Sequence, residues 1–266
     1  MFSRERWFLA DRNAVLKKTA FLLLAVAALI RSGTPSPAED GPSRPAATGL
    51  LVERIIRAYG GRAVLENIHS LSARGVLDSP MYERPADYSF DLQEGRRLRV
   101  EIRAGRSSEL RILNGTRGYY ESTGSPQAAV SGPRLLAMAY QFKELTMPLR
   151  LLHGSFAVAD GGRSEVHGVR VRLLLLTDSE GPPMKLYVDP ENGHILKDSG
   201  LFAMGNAETE LSSEFHDLRK VNGRLLPFRI VNYAGGRRIG EIRIREYRVN
   251  PHLPGSLFAP ASAAGR

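Results

Sequence analysis

The sequence predicts a mainly β chain of the α+β kind: a single antiparallel sheet curled round one helix, with another helix ahead of it. Three observations lead there. Apolar residues recur at every second position through most of residues 88–249, the spacing of half-buried strands. Short turn sequences separate these stretches at hairpin distances. One segment alone, between Gly132 and Leu152, breaks the period of two and follows a helical spacing instead. An antiparallel run of about ten strands has to curl or split to bury one face, and no repeat period suggests a solenoid or propeller.

The first 48 residues are read apart from the fold. Arg4, Arg6, Arg12, Lys17 and Lys18 precede the apolar run Thr19–Ile30, and small or turn-forming residues follow, the order of a secretory signal peptide. The apolar run falls short of the roughly 20 residues that span a bilayer. Cleavage is expected after Ala38, with Ser36 at the minus-three position, giving a signal at 1–38, a Pro-, Ala- and Ser-rich flexible leader at 39–48, and one domain at 49–266. The expected location is therefore the periplasm.

The domain begins with Leu51, Ile55, Ile56 and Tyr59 at helical spacing, closed by Gly60 and Gly61. A further helical turn carries Val64, Leu65 and Ile68, and the chain extends at about Ser70. Tyr88, Phe90 and Leu92 then alternate with Asp87, Ser89 and Asp91. Leu98, Val100 and Ile102 alternate with Arg97, Arg99, Glu101 and Arg103, and Leu110 and Ile112 continue the pattern. In the interrupting segment Leu135, Leu136, Ala139 and Phe142 share a helical spacing, Met138 and Met147 supply flexible packing groups, and Pro148 ends or kinks the helix. Its apolar residues wrap round more than one side, as expected of a helix buried in a concave sheet. Strands resume with Phe156 and Val158, the run from Val166 to Thr177, Met184–Asp189, and His194–Lys197 after the turn Asp189–Gly193. Three longer strands complete the chain, separated by Asn222-Gly223 and Gly235-Gly236.

The 266 residues carry 37 Lys and Arg against 28 Asp and Glu, a formal charge of +9. The basic residues are dispersed singly along strands, as in Arg243, Arg245 and Arg248, which argues against nucleic-acid binding. Cysteine is absent. That excludes disulfides, thiolate metal sites, a cysteine nucleophile and a lipid-bearing N-terminal cysteine. The six histidines, at 69, 153, 167, 194, 216 and 252, show no metal-ligand spacing, so each reads as a surface or strand histidine and no metal or cofactor is expected. No nucleophile elbow and no phosphate loop is present. Glu208, Glu210 and Glu214 lie in one strand segment, where solvated outward positions balanced by Arg219, Lys220 and Arg224 explain them better than acid-base chemistry. Catalysis is not expected.

What remains is an excess of large apolar side chains on strands and helix, consistent with a cavity inside the curled sheet. Alternation nominates its lining: Tyr88, Phe90, Leu92, Leu110 and Ile112 from the first strands; Leu135, Leu136, Met138 and Phe142 from the helix; Leu173, Leu175, Leu186, Val188, Phe215, Phe228 and Ile230 from the later strands.

Two stretches, AYGGRAVLENIHSLSARG (Ala58–Gly75) and MKLYVDPENGHILK (Met184–Lys197), together with LPFRIVNY (Leu226–Tyr233) and EIRIREYRVNPHLPGSLFAP from Glu241, resemble the LolA-like outer-membrane lipoprotein-carrier superfamily. The resemblance implies a half-open β-barrel with a helical plug and an apolar cavity that carries or senses acyl chains in the periplasm. No arginine or loop residue of the carrier's gate can be matched here. The expected role is thus a monomeric periplasmic binder or carrier of lipids or lipidated proteins, in lipoprotein sorting or envelope maintenance. The alternative is an envelope sensor or protein-interaction module of the same fold.

Overall fold

In the computed structural model, residues 44–204 and 207–260 are described. The expected signal, its cleavage after Ala38 and the leader up to residue 43 lie outside them. The chain opens with helices α1 (Arg44–Ala58) and α2 (Gly61–Glu66). Helix α1 starts five residues ahead of Gly49, since Pro45 falls in the first turn, where its missing N–H costs nothing. Strands β1 (Ser70–Asp78), β2 (Ala86–Gln93), β3 (Arg97–Ala104), β4 (Ser107–Asn114), β5 (Arg117–Ser122) and β6 (Ser125–Val130) follow. The long helix α3 (Gly132–Leu152) separates them from β7 (Ala157–Val166), β8 (Val169–Thr177), β9 (Met184–Val188), β10 (Ile195–Met204), β11 (Ala207–Val221), β12 (Arg224–Ala234) and β13 (Arg237–Val249). A 3-10 turn, Gly255–Phe258, follows.

All thirteen strands form one antiparallel sheet, ordered β6-β5-β4-β3-β2-β1-β13-β12-β11-β10-β9-β8-β7. Every neighbour but one is a hairpin partner in sequence. The exception is β1 with β13, which joins the two halves. The sheet is not closed: its free edges are β6 and β7, and α3 is the segment that connects them. This is the mainly β half-barrel with a helical plug that the periodicity and the resemblance led us to expect. Of the strands beyond the expected ten, β5 and β6 lack apolar alternation and end in Ala128, Ala129 and Val130, while β1 is a serine-containing strand buried on both faces.

Period-two alternation sets which side chains face in. On the inner face Leu71 and Ala73 meet Leu92 and Phe90 across β1–β2, and Phe90 meets Val100 across β2–β3. Glycines mark where α3 approaches the sheet. A Cβ on Gly200 would lie 2.5 Å from the Tyr140 ring, and one on Gly118 would lie 2.8 Å from Leu135 and 3.1 Å from the Met138 sulfur. The helix therefore rests its first half on β5 and its middle on β10.

Two apolar clusters result. Met138 and Phe142 join β1–β4, β12 and β13 in the first, while Tyr140, Met147 and Leu151 join α1, α2 and β8–β10 in the second. Burial on both flanks explains why α3 lacks a clean amphipathic stripe. Pro148 sits inside the helix without ending it. It removes one helical N–H, and in the same turn the carbonyl of Leu145 accepts a hydrogen bond of 3.0 Å from Arg224 Nη2.

Candidate functional site

Between the two clusters, under the C-terminal half of α3, lies a largely apolar cavity. Its cavity volume is about 50 Å³, within about 560 Å³ of free space that runs out into open solvent. From α3 it is lined by Glu144, Leu145, Met147 and Pro148, and from the sheet by Leu71, Phe90, Leu186, Ile195, Asp198, Phe215, Leu225, Leu226, Pro227, Ile230 and Tyr247. Tyr59, at the end of α1, and Arg224, at the start of β12, complete it.

Its polar groups are few and hydrogen-bonded in part. Asp198 on β10 is 1% exposed and accepts a hydrogen bond of 3.4 Å from the Tyr140 hydroxyl. Glu144, one helical turn beyond Tyr140, is hydrogen-bonded to Ser213 on β11, the strand residue opposite Asp198. Burial pushes Glu144 up to about 7, against the smaller opposing effect of Ser213. Asp198 is held well above the usual carboxylate range, first by burial and then by the charge of Glu144. Burial thus holds both carboxyls above the ordinary carboxylate range on this wall of the cavity.

Arg224 is the opposite case. Its residue is 4% exposed, burial lowers its guanidinium to about 10, and it is still a cation at neutral pH. Among the described residues it forms no ion pair with a carboxylate, and its Nε has no protein partner. The phenol oxygen of Tyr59 accepts a hydrogen bond from the backbone N–H of Ile195, at 3.2 Å. The cavity thus combines apolar walls with one buried cation.

Of the residues nominated from alternation, Phe90, Leu186, Phe215 and Ile230 line this cavity. Tyr88, Leu92, Met138 and Phe142 are buried in the first cluster, with Leu135 and Phe228 packed on its margin, and Val188 is buried in the second. Five nominated side chains lie elsewhere. On β4, Leu113 pairs with inward Leu98, so Leu110 and Ile112 point to the outer face, where Asn114 bonds to the carbonyl of Phe258. On β8, Leu174 and Leu176 pair with inward Leu186 and Met184. Leu173 and Leu175, one residue out of phase, face outward. In a continuous Leu run the period of two is invisible, so the phase could not be read. Leu136 is 40% exposed, on the side of α3 away from both clusters.

Sequence reasoning missed Glu144, Asp198 and Arg224. Asp198 alternates with Gly200 and Phe202 on the inner face of β10, a sign that an acid could point inward. Arg224, expected as a solvated counter-charge, is buried beneath α3.

No family model matches the chain, and no curated protein matches it. The solved structures do show its fold. A LolA superfamily protein from Nitrosomonas europaea superposes with a TM-score of 0.52 at 12% identity, covering 80% of this chain and 97% of that one. A DUF1329 family protein from Desulfovibrio piger gives 0.55 at 11% identity, over 80% and 97%. A domain assigned to outer membrane lipoprotein sorting in Vibrio parahaemolyticus gives 0.52 at 13%, over 78% and 95%. The fold of this chain is LolA-like.

Proposed function

We propose that this LolA-like chain is a periplasmic binder or carrier of acyl chains, as free lipids or as the lipid part of lipoproteins. The observation that carries the reading is the cavity under α3, apolar except for a few polar groups, chiefly a pair of carboxyls held above their ordinary range and one buried guanidinium. An acyl chain would exchange water for these walls with a gain of about 0.8 kcal/mol per buried methylene. Arg224, lacking an anionic partner among the described residues, offers a donor to the carboxylate or ester carbonyl at the chain's head. Among the described residues no helix is long and apolar enough to cross a membrane.

Native mass spectrometry of protein purified from its own envelope, followed by titration with fluorescent fatty acids, tests this. Leu145→Trp, which fills the cavity from α3, should remove uptake while thermal melting shows the protein still folded. If folded wild-type protein takes up no fatty acid or lipopeptide of any chain length, the carrier reading fails. The free edges β6 and β7 favour the second reading in that event, a module that pairs with another envelope protein through a sheet edge.

A further inference from the structure

Away from the cavity, the outer face gathers three side chains that the sequence holds far apart. Strand β9 pairs with β8 only from Arg172 to Leu176, so the tip of the β7–β8 hairpin runs on past it. The tip turns at His167 and Gly168, with φ of 49° and 80°. Val166 and Val171 beside it are buried, while residues 167–170 at the tip are exposed. It brings His167 Nε2 to 2.9 Å from Glu214 Oε2 on β11. Glu214 and His216 are two residues apart on one strand and share its outer face. His216 Nε2 lies 3.6 Å from the same carboxylate oxygen. All three donor atoms lie within 4.8 Å of one another.

We propose that His167, Glu214 and His216 form a binding site for a divalent cation of the Zn²⁺ class. Two imidazoles and a carboxylate are a donor set that Zn²⁺ accepts, leaving further positions to water. Bonds of about 2.0–2.1 Å to a tetrahedral ion set its ligands roughly 3.3 Å apart, between the two distances seen here. A simple histidine–glutamate hydrogen bond needs one imidazole, and His167 already supplies it. The second imidazole, its ring centroid 6.0 Å from the first and its Nε2 3.6 Å from the same oxygen, completes a three-donor cluster. The Tyr233 hydroxyl donates to Glu214 Oε2 at 3.2 Å, the outer-shell contact that holds a ligating carboxylate in place. Arg229 faces the same surface and opposes a cation, but its charge is engaged by Glu241, with Nε 3.2 Å from the carboxylate. Glu214 is 8% exposed, correcting its reading as a solvated outward residue, whereas the His167 side chain is 63% exposed and leaves the ion open to water. Bound metal would fasten the hairpin tip to β11.

The test uses tag-free protein stripped with a chelator and then freed of it. Calorimetric titration with Zn²⁺ should show one equivalent bound, with a rise in Tm at saturation. Co²⁺ should add the visible absorption bands of a four- or five-coordinate ion. His216→Ala and His167→Asn should each weaken Zn²⁺ binding at least tenfold, while His194→Ala leaves it unchanged. Asparagine is chosen at 167 because it tolerates the positive φ, so this variant reports on binding even if His216→Ala fails to fold. Folded wild type without saturable one-to-one uptake overturns the proposal, as does uptake that both ligand variants leave intact.

Discussion

Glu144→Gln isolates the energetic consequence of placing a carboxyl under α3. In the folded chain this group is raised from its ordinary 4.5 to about 7, chiefly by burial. The folded protein therefore binds its proton more tightly than the unfolded chain does, and stability falls as pH rises between the two values. The contribution is present in full below pH 4.5 and is lost as pH passes through 7, amounting to about 3 kcal/mol. Asp198, also raised, adds a slope of the same sign. His216, lowered by burial, adds the opposite slope near and below its ordinary 6.5. Subtracting mutant from wild type cancels the histidine and leaves the carboxyl pair. Glutamine keeps a hydrogen-bonding partner for Ser213 and cannot ionise. Urea melts from pH 5 to 8.5 should therefore show the variant within about 1 kcal/mol of wild type at pH 5 and more stable by about 2–3 kcal/mol at pH 8.5. A stability difference independent of pH across that range would refute the reasoning, since Glu144 would then be ionised in water.

Two further perturbations probe other links. Asp178 accepts from Lys143 at 2.6 Å and from Arg150 at 3.2 Å, and the Lys143 side chain is 3% exposed, so Asp178→Ala should cost about 3–5 kcal/mol in urea melts by stranding a buried cation. The exposed pair Arg62–Glu66 serves as control, with Arg62→Ala costing under about 1 kcal/mol. On β8, Leu174→Ala should destabilise by about 2–5 kcal/mol and Leu175→Ala by much less, because only the first faces the core. Equal losses would show that the register of β8 against β9 is wrong.

The sheet was legible wherever apolar and polar residues alternate strictly, as along Tyr88–Leu92 and Leu98–Ile102, because one face is buried and the other wet. It was illegible where that contrast fails. The Leu173–Leu176 run is apolar on both faces, and only pairing with Met184 and Leu186 fixes its phase. Leu110 and Ile112 alternate correctly but on the outer face, since the C-terminal turn at Phe258 covers that side, and a covered outer face looks like an inner one. The plug helix was recognisable by its period. The polar pairings were not, because Glu144 of the helix comes near Asp198, and His167 of the β7–β8 hairpin near Glu214, only through the curl of the sheet, across 54 and 47 residues of chain.

The plug is tied at both ends. Ser131 alone separates the edge strand β6 from α3, and residues 153–156 separate α3 from the opposite edge strand β7. The curled sheet resembles a drawn bow, with the helix as its string. On the carrier reading proposed above, a cargo too large for the present space cannot simply push the helix out, because so short a tether gives little slack. It must bend the bow or peel an edge strand from its neighbour, and each edge strand is held on one side only. The loading capacity of the cavity would then be governed by how readily β6 and β7 fray, so that a single staple across either edge would restrict the size of cargo without touching any residue that lines the cavity.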